Sequence, residues 1–301
     1  MRELNLKDLV KIDDYKLLAR ILTRVENDLP GSIEVLKNLN IDYNIPVIGI
    51  TGPPGAGKST LINSLVNLIS KENKRVGILV VDPTSPFTSG SLLGDRVRMS
   101  EQFTKSDVFI RSIATRGALG GLSAKAIEMV DVLRSAGFDY IIVETVGVGQ
   151  SEIEIAGLAD ITTVVLVPEA GDEIQHIKSG LMEIADIFVI NKADREGADT
   201  FANTLQKLLK QNGASTPVIK TIANKNYGID ELLSQFKSLP VSKSDLSLIL
   251  AEKAKQIMQA RYIKALNKER LLKDIKEGML QPAFNLYSFI DKWVSQIENN
   301  I

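Results

Sequence analysis

The residues with the clearest chemical purpose lie at 52–60. Gly52, Pro53, Pro54, Gly55, Ala56, Gly57, Lys58 and Ser59 satisfy G-x-x-x-x-G-K-[ST], and Thr60 follows them. Glycines let a backbone wrap closely enough around phosphate oxygens for its N–H groups to point inward. A lysine at this spacing reaches the β- and γ-phosphates, and the serine hydroxyl is placed to hold Mg²⁺. The motif carries weight only between a strand and a helix. Here the apolar run Val47-Ile-Gly-Ile-Thr51 precedes it and Thr60-Leu-Ile-Asn-Ser-Leu follows, which is that setting. The helix start adds partial positive charge where the phosphates would lie.

Three acids have the right environment for a hard cation. Leu79-Val-Val81 leads into Asp82, and Ile141-Ile-Val143 leads into Glu144; Asp95 lies in a loop between them. Mg²⁺ takes few protein oxygens and keeps several waters, so Ser59, Asp82, Asp95 and Glu144 are its candidate ligands. Glu144-Thr-Val-Gly147 resembles the D-x-x-G element of GTPases, with Glu for Asp. The Gly147 N–H is a candidate sensor of the γ-phosphate, whose loss would release the loop after it. In that loop Gln150 is a candidate to orient an attacking water. Lys58, Glu144 and Gln150 form the candidate catalytic set.

Base choice is read from Asn191-Lys192-Ala193-Asp194, which follows the apolar Ile187-Phe-Val-Ile190. The Asp194 carboxylate can accept from guanine N1–H and the 2-amino group. Adenine offers neither donor, so a buried Asp194 would be left unpaired and ATP rejected. Asn191 would steady the loop, and the Lys192 stem would cover the base face. GTP and GDP are the expected ligands, with Mg²⁺ as cofactor.

These motifs require strands that end where they begin. Seven β-rich segments alternate with helical ones: 47–51, 76–82, 108–113, 140–144, 162–167, 187–191 and 218–221. Several are continuously apolar, as strands covered on both faces are. The expectation is an α/β fold, a mainly parallel sheet flanked by helices, with ligands beyond the carboxyl ends of its strands. Three zones follow. Residues 1–45 form an N-terminal helical appendage with Leu17, Leu18, Ile21, Leu22 and Val25 at helical spacing, Asp13 and Asp14 as caps, and a second helix capped by Ser32. Residues 46–240 form the nucleotide domain. Residues 241–301 form a C-terminal helical segment.

The 301 residues are 44% hydrophobic, with 36 Lys+Arg against 37 Asp+Glu. That balance argues against a nucleic-acid-binding domain, which is usually strongly basic. No apolar run is long enough to span a membrane, the start is charged rather than a secretory leader, and a cytoplasmic protein is expected. With no cysteine and a single histidine, His176, thiolate metal sites are absent and delivery of nickel is a poor reading.

The full series is more specific than any one motif. Besides the phosphate loop it comprises Val81-Asp-Pro-Thr-Ser, Ser91-Leu-Leu-Gly-Asp95-Arg-Val-Arg-Met99, Arg116-Gly-Ala-Leu-Gly-Gly-Leu122, Glu144-Thr-Val-Gly-Val-Gly-Gln-Ser-Glu152, Ala170-Gly-Asp-Glu173 and Asn191–Asp194, in that order. It resembles the MeaB/ArgK family, P-loop GTPases associated with methylmalonyl-CoA mutase. The resemblance implies a homodimeric GTPase acting as chaperone and gatekeeper of an adenosylcobalamin-dependent acyl-CoA mutase. It also implies that Lys58, Ser59, Asp82, Asp95 and Glu144 surround the phosphates and metal, with switch regions at 147–152 and 167–178. An older family description is a kinase of a lysine/arginine/ornithine transport system, and nothing here looks like a protein-kinase substrate site. A regulatory GTP-binding module with little turnover is the other alternative. The chain departs from the family at Glu169, where Pro-Gly-Ala-Gly-Asp is usual, and a glutamate gives up the left-handed conformations of glycine. A second departure is Thr221-Ile-Ala-Asn224, where a Ser-Ala signal usually backs the guanine.

Overall fold

The computed structural model describes residues 14–82, 102, 105–114, 124–145, 155–169, 180–239, 250–251, 253–259, 268–280, 285–286 and 288–290. They fall in two compact units, Met1–Lys253 and Ala254–Ile301.

All seven expected strands form in the first unit. They are β1 (Val47–Thr51), β2 (Val76–Asp82), β3 (Val108–Ala114), β4 (Tyr140–Thr145), β5 (Ile161–Leu166), β6 (Ile187–Ile190) and β7 (Val218–Lys220). They make one sheet in the order β3-β2-β4-β1-β5-β6-β7, and every pairing is parallel. The carboxyl ends of all strands therefore lie along one edge. The central strands have no exposed residue because helices cover both faces. Alternation along the strands divides the core between two layers. Val165, Ile187, Val189 and Ile219 pack with Leu61, Leu65 and Ile69 of α3 (Lys58–Lys71) and Leu232, Leu233 and Phe236 of α7 (Ile229–Ser238). Val164, Leu166, Phe188 and Ile190 pack instead with Phe201, Leu205 and Leu209 of α6 (Ala198–Gln211). Each such side chain contributes about 1.5–3 kcal/mol by leaving water.

The N-terminal helices belong to this unit. In α1 (Tyr15–Glu26) the Asp14 side chain accepts from the backbone N–H of Lys16 and Leu17, and Leu18, Ile21, Leu22 and Val25 are fully buried. The helix packs on β3 and on α4 (Ala124–Arg134). One expectation changes at α2 (Ser32–Lys37): the cap is Gly31, at φ +84°, and Ser32 is the first helical residue, itself buried. A glycine can take the left-handed turn after Pro30 that a serine resists. The short α5 (Leu181–Ile184) precedes β6.

Of the second unit, α8 (Lys268–Met279) is described. Its surface carries Arg270–Asp274 and Lys273–Glu277 pairs one turn apart, and Leu272, Met279 and the following Leu280 are exposed. Tyr287, Trp293 and His176 lie outside the described residues. No helix among the described residues is long and apolar enough to cross a membrane.

Candidate nucleotide-binding site

The phosphate loop leaves β1 at Thr51 and enters α3 at Lys58. Two glycines are imposed by their neighbours. Gly52 has φ +138°, and a Cβ there would come within 2.1 Å of the Val165 carbonyl oxygen on the adjacent β5. Gly57 caps α3 at φ +89°, and its Cβ would meet Asn191 Nδ2 at 2.4 Å. The loop thus passes between β5 and the 191–194 loop with room for hydrogen only. Lys58 is 7% exposed. Its ammonium donates to the carbonyls of Gly52 at 2.7 Å and Pro53 at 3.0 Å, inside the curve of the loop. The N–H groups of the first turn of α3, which have no acceptor within the helix, lie beside it.

Ser59 and Glu144 meet: Ser59 Oγ donates to Glu144 Oε1 at 2.8 Å. Register explains the contact, because Glu144 pairs with Ile50 at the carboxyl end of β1. Glu144 is 5% exposed. Beneath them Thr145 Oγ1 donates to Thr51 Oγ1 at 2.9 Å, tying β4 to β1 at the loop's root. The backbone of Asp82 ends β2, which lies beside β4 with Val81 opposite Thr145. The Asp82 side chain, Asp95, Gly147 and Gln150 lie outside the described residues. Two hard oxygens side by side at the mouth of a phosphate loop suit Mg²⁺. Among the described residues no three His, Cys, Asp or Glu converge on one point.

The 191–194 loop is tied to the phosphate loop by Asn191, which is 2% exposed. Its Nδ2 donates to the Ala56 carbonyl at 2.9 Å, while its Oδ1 accepts from Thr221 Oγ1 at 3.1 Å and from the Ala223 N–H at 3.2 Å. One side chain thus joins three loops. Lys192 sits at φ +56°, and its Nζ donates to the Gly55 carbonyl at 2.7 Å, drawing its stem across the site. Asp194 is not buried as the sequence suggests: its side chain is 40% exposed and pairs with Lys225 at 3.0 Å. That ammonium holds the Asp194 carboxyl below its usual range. Arg195 pairs with Glu169, just beyond β5. Gly57, Thr60, Asn191, Lys192, Asp194, Arg195, Ala223 and Asn224 line a cavity of about 320 Å³ against the start of α3.

Residues 18–279 match the family model described as methylmalonyl-CoA mutase-associated GTPase MeaB. This chain belongs to the MeaB family. Its relatives include a Pyrococcus abyssi protein described as a GTPase, 49% identical over 236 residues, covering 76% of this chain and 73% of the relative. The GTPase ArgK of Escherichia coli is 35% identical over 269 residues, or 84% and 78% of the two chains. A crystal structure described as a LAO/AO transport system kinase superposes with a TM-score of 0.65 at 27% identity, covering all of this chain and 94% of that one. This MeaB-family chain is thus a GTPase with the P-loop fold, and its motif series and its sheet agree.

Three features of this MeaB-family site escaped sequence reasoning. Lys225 on Asp194 joins positions 31 residues apart, and Glu169–Arg195 joins positions 26 apart. Thr51–Thr145 spans 94. Each depends on which strand lies next to which, and only the threonines at two strand ends carried a faint signal.

Proposed function

We propose that this GTPase binds GTP with Mg²⁺ at the loop 52–60 and reads guanine with Asp194, and that its nucleotide state governs an adenosylcobalamin-dependent acyl-CoA mutase of the methylmalonyl-CoA mutase type. The observation that carries the nucleotide reading is the Asn191 side chain, which fixes the base loop to the phosphate loop beside a cavity open to both. The Lys58 ammonium would answer the charge of the β- and γ-phosphates, and the loop N–H groups would cradle them. Ser59 and Glu144 would hold Mg²⁺ together with Asp82 and Asp95. The bound ion would supply Lewis-acid neutralisation of phosphate charge. Gly147 and Gln150 keep the roles proposed from sequence, γ-phosphate sensing and orientation of water.

Asp194→Asn tests the base reading. It replaces an acceptor oxygen by an NH₂ donor that opposes guanine's amino group and pairs with xanthine's oxygen. Once a bound base covers Asp194, a mismatched polar contact there costs about 1–3 kcal/mol, so GTP affinity should fall by about tenfold to a hundredfold and XTP affinity rise. Competition binding with GTP, XTP and ATP decides it, and an unchanged GTP preference would remove the assignment.

The mutase reading is supported by the family's description. Its test is calorimetric titration of the same organism's cobalamin mutase into the GTP-bound and GDP-bound protein, with GTPase rates measured alongside. Differing affinities are expected, and the mutase must then shift nucleotide affinity in the reciprocal sense. Equal affinities would argue against a switch; no binding would remove the partner. We read residues 241–301, with the exposed Leu272, Met279 and Leu280, as the dimerisation segment, which analytical ultracentrifugation of the full chain checks.

A further inference from the structure

A carboxylate that reads a base edge must be ionised and aimed. Burial does neither for Asp194, whose side chain is 40% exposed on a loop turning through a left-handed Lys192. Its neighbour Arg195 is engaged elsewhere, with Glu169. Among the described residues the one side chain that hydrogen-bonds the carboxylate is Lys225, whose Nζ donates to Asp194 Oδ2 at 3.0 Å.

The backbone beneath Lys225 is firmly held. The lysine ends the one-turn helix Ala223–Lys225. The Ala223 N–H donates to Asn191 Oδ1 at 3.2 Å, and the Ala223 carbonyl accepts from Ser64 Oγ of α3 at 2.7 Å. The ammonium therefore projects from a turn fixed to both the phosphate-loop helix and the base loop. Lone-pair arithmetic allows it to remain when a base is present. Two carboxylate oxygens offer about four acceptor positions; guanine N1–H and the 2-amino group use two, and Lys225 uses a third. Lysine and base can share Asp194 rather than compete for it.

We infer that Lys225 is a positioning residue for base recognition, holding the Asp194 carboxylate aimed at guanine without contacting the phosphates. This rests on the reading of Asp194 as the guanine-reading group. The pair is solvent-exposed, and such pairs contribute modestly and are screened by salt. The expected effect is accordingly a few-fold change in affinity.

The experiment compares Lys225→Met and Lys225→Arg, each in the wild-type and Asp194→Asn backgrounds, by binding of GTP, GDP and XTP and by steady-state turnover at low and high salt. Lys225→Met should raise Kd for GTP and GDP, and KM for GTP, by about threefold to fivefold at low salt, with little change in kcat and a smaller effect at high salt. Lys225→Arg should restore most of the loss. In the Asp194→Asn background Lys225→Met should not weaken GTP further, because the two changes remove one interaction. Unchanged GTP affinity in Lys225→Met would overturn the inference. So would an equal loss in both backgrounds, since Lys225 would then act through another group. If Asp194→Asn alone leaves GTP preference intact, the guanine reading itself fails, visibly in a different arm, and the role of Lys225 falls with it.

Discussion

Two charge clusters at opposite ends of the sheet are held differently. At the carboxyl ends the ion pairs lie in solvent: Asp194–Lys225 has side chains 40% and 62% exposed, and Glu169–Arg195 has 52% and 48%. At the amino ends Arg134 and Asp160 pair with side chains only 1% and 7% exposed. Asp160 Oδ2 also accepts the Val47 N–H at 2.7 Å where β1 begins, and the Arg134 guanidinium stands 5.3 Å from the Tyr43 ring centroid. Lys253 is buried and Asp131 half-buried in the same region. Exposed pairs are worth less than about 1 kcal/mol and re-form readily. Breaking a buried pair leaves a charge stranded. The Asp194–Lys225 pair is thus free to re-form, while the Arg134–Asp160 pair is held in place.

The contrast should separate activity from stability. Lys58→Ala, at the carboxyl end, is expected to lower kcat by a hundredfold or more while its urea midpoint stays near wild type. Normal GTP hydrolysis by a well-folded Lys58→Ala protein would remove the lysine from the chemistry. Arg134→Ala, at the amino end, should do the reverse. It should cost about 3–5 kcal/mol in chemical denaturation with near-normal kcat in the remaining folded protein. A loss of kcat with unchanged stability would show that the two ends are not separate in function.

Gly57→Ala sits between these extremes. Its left-handed backbone costs a non-glycine about 1–2 kcal/mol, and the Cβ would displace Asn191 Nδ2 from the Ala56 carbonyl. Weakened stability and weakened GTP binding should appear together, unlike in the other two variants. The smallest effect concerns pH. Burial, first among its causes, raises the Asp131 carboxyl above its usual range, against the lowering influence of Lys253 and Arg134; Glu128 and Asp160 raise it further. Between the unfolded and folded pKa the folded state binds more protons, so this group's contribution to stability falls as pH rises through that window. Asp131→Asn should flatten the dependence of the urea midpoint on pH just above the ordinary carboxylate range. An unchanged slope would mean that Asp131 does not titrate differently on folding.

Much of the nucleotide end was legible in the chain. Runs such as Ile161–Leu166 and Ile187–Ile190 are apolar because both faces are covered, and that pattern gives strands whatever their order. The phosphate loop was readable for a local reason, since strand, glycines, lysine and helix are consecutive. The amino-end cluster was not legible. No local pattern marks Arg134, Asp131 and Lys253, and nothing near them in the chain shows that they gather around Asp160.

The base loop shows the boundary at a single residue. Asn191-Lys-Ala-Asp194 at a strand end was enough to propose guanine reading, because donor and acceptor types are properties of the residues themselves. The sequence also determined that the seven strands exist, since hydrophobic periodicity is local. It did not determine the order β3-β2-β4-β1-β5-β6-β7, which depends on contacts distant in the chain. That order sets Glu144 beside Ser59, Asn191 against Ala56 and Lys225 upon Asp194. Only the tertiary structure decided those neighbours, because a hydrogen bond depends on position to within a fraction of an ångström, and position here is set by packing the two helix layers onto the sheet.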